Sequence, residues 1–169
     1  NVGQTGYNLL SFAAAMNGNL VVKQCTLKAE ASAVHVAADL AGKIRMSLST
    51  ITSASGHGLS LFSLTTGTVS VKLGSITSTL ASVMTISNAV DATSSITIDS
   101  VTGVAATNAV DIAGATFAGT LAITRGSLTA TSGPAVLVSS ALSGTLRIQS
   151  ANVVSTGSHG VDVTGLLTG

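Results

Sequence analysis

Charge is the scarcest property of this chain. Asp, Glu, Lys and Arg make up 8% of its 169 residues, where soluble domains usually carry roughly 25%. Seven basic residues against six acidic ones leave a net charge of +1, which predicts no basic patch for nucleic acid. Cys25 is the only cysteine, so neither an internal disulfide nor a cysteine-rich metal site can be built. No apolar run approaches the roughly 18 residues of a spanning helix, despite a positive mean hydropathy. Asn-x-Ser/Thr does not occur, so no N-linked glycan is encoded by the usual acceptor. The start, Asn1-Val2-Gly3-Gln4, has no initiator Met, basic n-region or apolar h-region.

What is present is serine (24), threonine (23), glycine (18) and abundant Val, Ile and Leu. The aliphatics exclude a disordered chain. Hydroxyls take the place of charge on the surface. This composition predicts an all-β structural protein forming one domain, with a real core.

Internal periodicity assigns the fold. Apolar-x-apolar triplets, the mark of a strand with one buried face, recur at Leu10-Ser11-Phe12, Val34-His35-Val36, Leu59-Ser60-Leu61, Met84-Thr85-Ile86, Val110-Asp111-Ile112, Val136-Leu137-Val138 and Val161-Asp162-Val163. Their spacings are 24, 25, 25, 26, 26 and 25. A second set follows at Leu20-Val21-Val22, Ile44-Arg45-Met46, Val69-Ser70-Val71, Ile96-Thr97-Ile98, Leu121-Ala122-Ile123 and Leu146-Arg147-Ile148. A third column is read as Val2, Leu27, Ile51, Ile76, Val101, Leu128 and Val153. Three short strands per turn of about 25 residues describe a parallel β-helix, a β-solenoid of about 6.75 turns. At about 4.8 Å per rung it spans about 32 Å. Residues 1–169 form a single solenoid domain, either a slice of a longer solenoid or a filament subunit.

This rung pattern resembles the pectin-lyase-like right-handed parallel β-helix superfamily, which includes polysaccharide hydrolases and lyases. Two carboxylates about 6.5–9.5 Å apart suit an inverting hydrolase. Asp111 and Asp162 share the outward position of the first strand two rungs apart, near 9.6 Å. His159, in Ser158-His159-Gly160, resembles the His-Gly dipeptide of polygalacturonase-type members. Their Asn-Thr-Asp, Asp-Asp and Arg-Ile-Lys signatures are missing, as is the acid cluster that calcium-dependent lyases need. Asp111, Asp162 and His159 are therefore the candidate catalytic set only if the chain is an enzyme; the expectation is that it is not. His35, His57 and His159 read as surface or corner residues, with no metal site and no cofactor expected.

Hydroxyls flank the third-strand column at Thr50/Thr52, Ser75/Thr77, Ser100/Thr102 and Ser127/Thr129. Pointing outward, they would form two ladders on a flat face. That face resembles the Thr-x-Thr surface of insect-type antifreeze β-helices, which implies a binding module for ice or polysaccharide as the alternative function. Val2 already belongs to a column, and Val161-Asp162-Val163 is a full strand followed by Leu166 and Leu167, so the sequence starts and stops inside the repeat. Few charges oppose edge pairing. Val2, Leu10, Phe12, Val161, Val163, Leu166 and Leu167 are the expected assembly positions. The segment Gly6-Tyr7-Asn8-Leu9-Leu10-Ser11-Phe12 reads as ordinary first-rung core or as a packed junction. The favoured reading is an extracellular or cell-surface structural protein, a filament, fibre or adhesin stalk. Its expected partner is itself, stacked head to tail, or adjoining segments of the same chain, with glycan as a further partner and neither nucleic acid nor a membrane span.

Overall fold

In a computed structural model, residues 7–114 and 116–168 are described; Val2 lies outside them. The described chain is all β, without helix, and its strands stack as a parallel solenoid of about six turns. Seven first strands lie side by side: Leu10–Phe12, Val34–Leu40, Leu59–Leu64, Met84–Ile86, Val110–Ile112, Val136–Val138 and Val161–Val163. Every neighbouring pair is parallel and joins the triplets read from the sequence, such as Leu10 with Val34 and Val136 with Val161. Second strands begin with Asn19–Lys23 and Lys43–Ser47, and third strands with Thr26–Ala29 and Thr50–Ser53. In the fourth and fifth rungs the two run on as the single strands Ser95–Ala105 and Thr120–Ala130. All are parallel.

The alternation of Val, Ile and Leu with small polar residues produces this arrangement, because successive side chains of a strand point to opposite faces. Ile44, Val69, Ile96 and Leu121 are wholly buried, and so are Val34, Leu61, Ile86 and Val110. A further inward column, not read from the sequence, lies in the first-to-second corner. It consists of Met16, Leu40, Leu64, Val90, Phe117, Leu142 and Leu167, joined by single bridges or two-residue pairings. The turn is therefore three strands with a fourth aliphatic position in one corner.

The third-strand column also differs from the sequence reading in the fourth rung. Gly103, not Val101, pairs with Ile76 and Leu128. The cause is two extra residues, one between Ile86 and Val90 and one in the corner around Asp91-Ala92-Thr93: Leu61 pairs with Ile86 across 25 residues, Leu64 bridges Val90 across 26 and Val69 pairs with Ile96 across 27. The third strand inherits that offset, since it follows the second by seven residues in every rung. The volume a side chain would fill at Gly103 is taken by Leu128 and Val83. An added Cβ there would lie 2.7 Å from Leu128 Cδ2 and 3.3 Å from Val83 Cγ2. Beyond the first rung, where Leu9 holds the position, Val83 is the one large residue in a column otherwise made of Ala33, Gly58, Ala109, Ala135 and Gly160.

Two corners show how closely the rungs approach. Between second and third strands, Gln24, Leu48, Leu73, Ser100, Arg125 and Ser150 all adopt left-handed backbone, with φ between 50° and 54°. None is glycine, so each rung carries local strain. Rung-to-rung bonds hold these corners, such as Leu48 N–H to Lys72 O at 3.1 Å and Leu73 N–H to Asp99 O at 3.0 Å. Between first and second strands, Gly18, Gly42, Gly67, Gly119 and Gly144 form a column. A Cβ on Gly42 would lie 2.0 Å from the Gly18 carbonyl oxygen, and one on Gly144 2.1 Å from that of Gly119. At Gly18 nothing lies within 4 Å. Gly42→Ala is accordingly expected to destabilise the fold by about 2–3 kcal/mol through overpacking. Gly18→Ala is expected to be neutral, or stabilising by up to about 1 kcal/mol through the unfolded chain. Denaturant unfolding of the two variants checks the contrast; equal effects would contradict the close approach.

Candidate functional site

The outward position of the first strand carries Ser11, His35, Ser60, Thr85, Asp111, Leu137 and Asp162 in one file. Asp111 and Asp162 share the file as expected, each paired in register with the intervening Leu137. At about 4.8 Å per rung they stand about 9.6 Å apart, with an aliphatic side chain between them. His159 lies in the adjoining corner, where its carbonyl accepts from Ala135 N–H at 3.2 Å. One oxygen of Asp111, Oδ1, is buried without a hydrogen-bond partner. In the same file, His35 Nδ1 meets Ser60 Oγ at 3.1 Å. Among the described residues no group of three or more His, Cys, Asp or Glu side chains is placed to hold a metal ion.

His57 belongs to a polar ladder that climbs the third-to-first corner. Asn8 Oδ1 accepts from Ser32 N–H at 3.0 Å, Ser32 Oγ from His57 N–H at 3.2 Å, and His57 Nδ1 from Ser82 N–H at 3.2 Å. Each side chain thereby satisfies a corner amide that the strands leave unpaired. Next to it, hydroxyls turn inward and tie the same corner. Ser53 Oγ donates to Gly56 O at 2.7 Å, Ser78 Oγ to Gly56 O at 2.8 Å, and Ser155 Oγ to Gly133 O at 2.7 Å. Serines at these positions serve the fold rather than an external ligand. The sequence signal for the ladder was the matched placement of His57 and His159, each just before a glycine.

The hydroxyl face is rearranged by the register of the fourth rung. Thr102 pairs with Ser75 and Ser127, so it joins the file of Thr26, Thr50, Ser75 and Ser127. The other file runs Lys28, Thr52, Thr77, Val104, Thr129 and Val154, and Val104 interrupts its threonines. Ser100 belongs to neither; it is a left-handed corner residue. The regular pair of ladders expected over four rungs is thus broken in the fourth by a methyl-bearing, exposed Val104.

The expected assembly positions fall into two groups. Leu10, Phe12 and Val163 are half-buried against the core, whereas Val161 is exposed and Leu166 and Leu167 are 71% and 66% exposed. Tyr7, in the first-rung segment, is 70% exposed rather than packed.

Net charge conceals a segregation that the sequence total hides. Lys23, Lys43, Arg45 and Lys72 all project from the second-strand sheet in the first three rungs. They border a shallow groove of about 440 Å³ whose lining includes Lys23, Arg45, Ser47, Ser70 and Lys72. No carboxylate occupies that face in those rungs. The fourth rung brings Asp99, whose oxygens are taken by Arg125. Its Nε donates to Oδ1 at 2.9 Å and its Nη2 to Oδ2 at 2.6 Å, while Thr124 Oγ1 donates to Oδ1 at 3.0 Å. The Arg125 hydrogen bonds hold the Asp99 carboxyl below its usual range.

Burial lowers the pKa of His57 from its ordinary 6.5, against the opposing pull of the Asp111 carboxylate. Its Nδ1 must also stay unprotonated to accept from Ser82. Below pH about 6.5 the unfolded chain takes up a proton that the folded chain refuses. Stability from this site is therefore complete above that pH and falls as pH drops toward the lower folded value. Unfolding midpoints measured from pH 8 down to about 5 are expected to decline below about 6.5, and His57→Asn to flatten that decline. An unchanged slope in the variant would remove His57 as its cause.

Comparison with family models, with curated proteins and with solved structures finds no match to this chain; its architecture is that of a parallel β-solenoid.

Proposed function

We propose that the chain is a non-catalytic structural protein of the extracellular space, a length of filament, fibre or adhesin stalk. The observation that carries this reading is the stacking of parallel strands from rung to rung along the described chain. Each strand bonds only to the strands of the rungs above and below, so the structure elongates by adding rungs without changing its cross-section. Such an object is a spacer of defined length and stiffness. Its outward positions are mostly short hydroxyl side chains, which suit exposed strands and keep the sides of a rod soluble without many charges. A further rung of β-structure laid on Val161, Val163, Leu166 and Leu167 would continue the apolar columns, which is the way such rods would stack. On the rung period, we place the fold with the right-handed helices of the pectin-lyase-like superfamily. Within that superfamily the reading is the stalk rather than the enzyme. Leu137 separates the two carboxylates, and His159 sits in a corner of the backbone ladder.

Electron microscopy of the native gene product, with diffraction from aligned material, tests this. The expected result is rods or filaments with a reflection at about 4.8 Å along the long axis, the spacing of parallel rungs. Discrete compact particles at every concentration, without that reflection, would overturn it.

A further inference from the structure

Two cations and two carboxylates of this chain are ruled at the same interval. Lys23, Ser47 and Lys72 begin one outward file of the second-strand sheet, paired in register from rung to rung and followed by Asp99. Asp111, Leu137 and Asp162 occupy one outward file of the first-strand sheet, likewise in register. In each file two like charges stand two rungs apart, about 9.6 Å, with an uncharged residue between them. Arg45 and Lys43 reinforce the first file from the neighbouring strand, and no Lys or Arg lies in the second.

We propose that the second-strand face of one copy docks sideways on the first-strand face of a second copy, pairing Lys23 and Lys72 with Asp111 and Asp162. Two solenoids share one ruling of about 4.8 Å, so charges set two rungs apart on one stay in step with charges set two rungs apart on the other. Leu137 then meets the small Ser47 and neither carboxylate is forced against a bulky neighbour. The carboxylate that follows Lys72 in the cationic file, Asp99, is already engaged by Arg125 and Thr124. His159 in the corner beside Asp162, His57, which feels the Asp111 carboxylate, and His35, three rungs before Asp111 in the file, complete the titratable groups of the acidic face.

The two faces are different surfaces of the same molecule, so the contact is heterologous. Each copy keeps one face of each kind free, and association propagates instead of closing as a dimer. In a parallel arrangement Lys23 of the first rung meets Asp111 of the fifth, a stagger of four rungs or about 19 Å. Exposed ion pairs are individually weak; repeated along a bundle they act together. The proposal goes beyond the stalk reading, since it concerns the sides of the rod and applies to a single short solenoid in solution.

Sedimentation velocity at about 0.01 M and about 1 M salt, where the screening length falls from about 30 Å to about 3 Å, reads the contact. The wild-type chain is expected to sediment above its 16.5 kDa at low salt and at that mass at high salt. The Lys23→Glu/Lys72→Glu and Asp111→Lys/Asp162→Lys variants are each expected to stay monomeric at low salt, and their equimolar mixture to associate again. Lys23→Glu and Asp162→Lys singly are expected to weaken association several-fold, which keeps the test open if Asp111→Lys does not fold. A wild-type chain that is monomeric at low salt would overturn the proposal. So would association that survives either double reversal, or a mixture that remains monomeric. None of these results bears on whether the native product is a rod.

Discussion

Every feature of this molecule hangs on the backbone hydrogen bonds that join one rung to the next in parallel register. They fix the rung spacing, and the spacing fixes what each column tolerates. Gly42, Gly67, Gly119 and Gly144 exist because the first-to-second corner passes within van der Waals contact of the rung below. The left-handed corner residues persist, without a single glycine or asparagine among the six, because the same ladder overdetermines their geometry. Where the register changes length, between Ile86 and Thr93, the consequences run on through the second and third strands. They end in the exchange of a side chain at Gly103 for one at Val83. Packing here follows the ladder and does not precede it.

The hydroxyl-rich composition acquires distinct meanings once it is placed. Inward serines such as Ser53, Ser78 and Ser155 satisfy corner carbonyls. Asn8, Ser32 and His57 satisfy corner amides. Only the remainder decorates the outside. Some of the few charges are likewise ordered, with Lys23, Lys43, Arg45 and Lys72 on the second-strand face of the early rungs and Asp111 and Asp162 on the first-strand face of the late ones. A rod whose core is a stack of aliphatic columns has little use for charge in stability. Its charged residues are free to govern what lies beside it.

The first strands were fully legible in the sequence because a buried face on an extended chain leaves period-two alternation, and all seven triplets kept step. The fourth aliphatic column was not, since Met16, Leu40, Val90 and Phe117 stand singly in a corner and produce no alternation. Val101 imitated a column residue: it is apolar, flanked by hydroxyls and 25 residues beyond Ile76. The constant seven-residue step from second to third strand, which leads from Ile96 to Gly103, was the available signal, but a glycine in an inward position does not announce itself as core. The two carboxylates were legible as a pair. Their facing cationic file was not, because a net charge sums over faces that the fold keeps apart. The polar ladder was visible only as a coincidence of two histidines before two glycines.

The parallel register itself is open to one direct measurement, the formation of disulfides between cysteines introduced in a Cys25→Ser background. In-register neighbours on adjacent rungs lie within the Cα separation a disulfide spans, while diagonal positions two residues away do not. Ser75→Cys with Thr102→Cys is expected to oxidise readily, and Thr77→Cys with Thr102→Cys to remain reduced. Closure of the Thr77/Thr102 pair, with the Ser75/Thr102 pair staying open, would contradict the rung-to-rung ladder on which the rest of the structure depends.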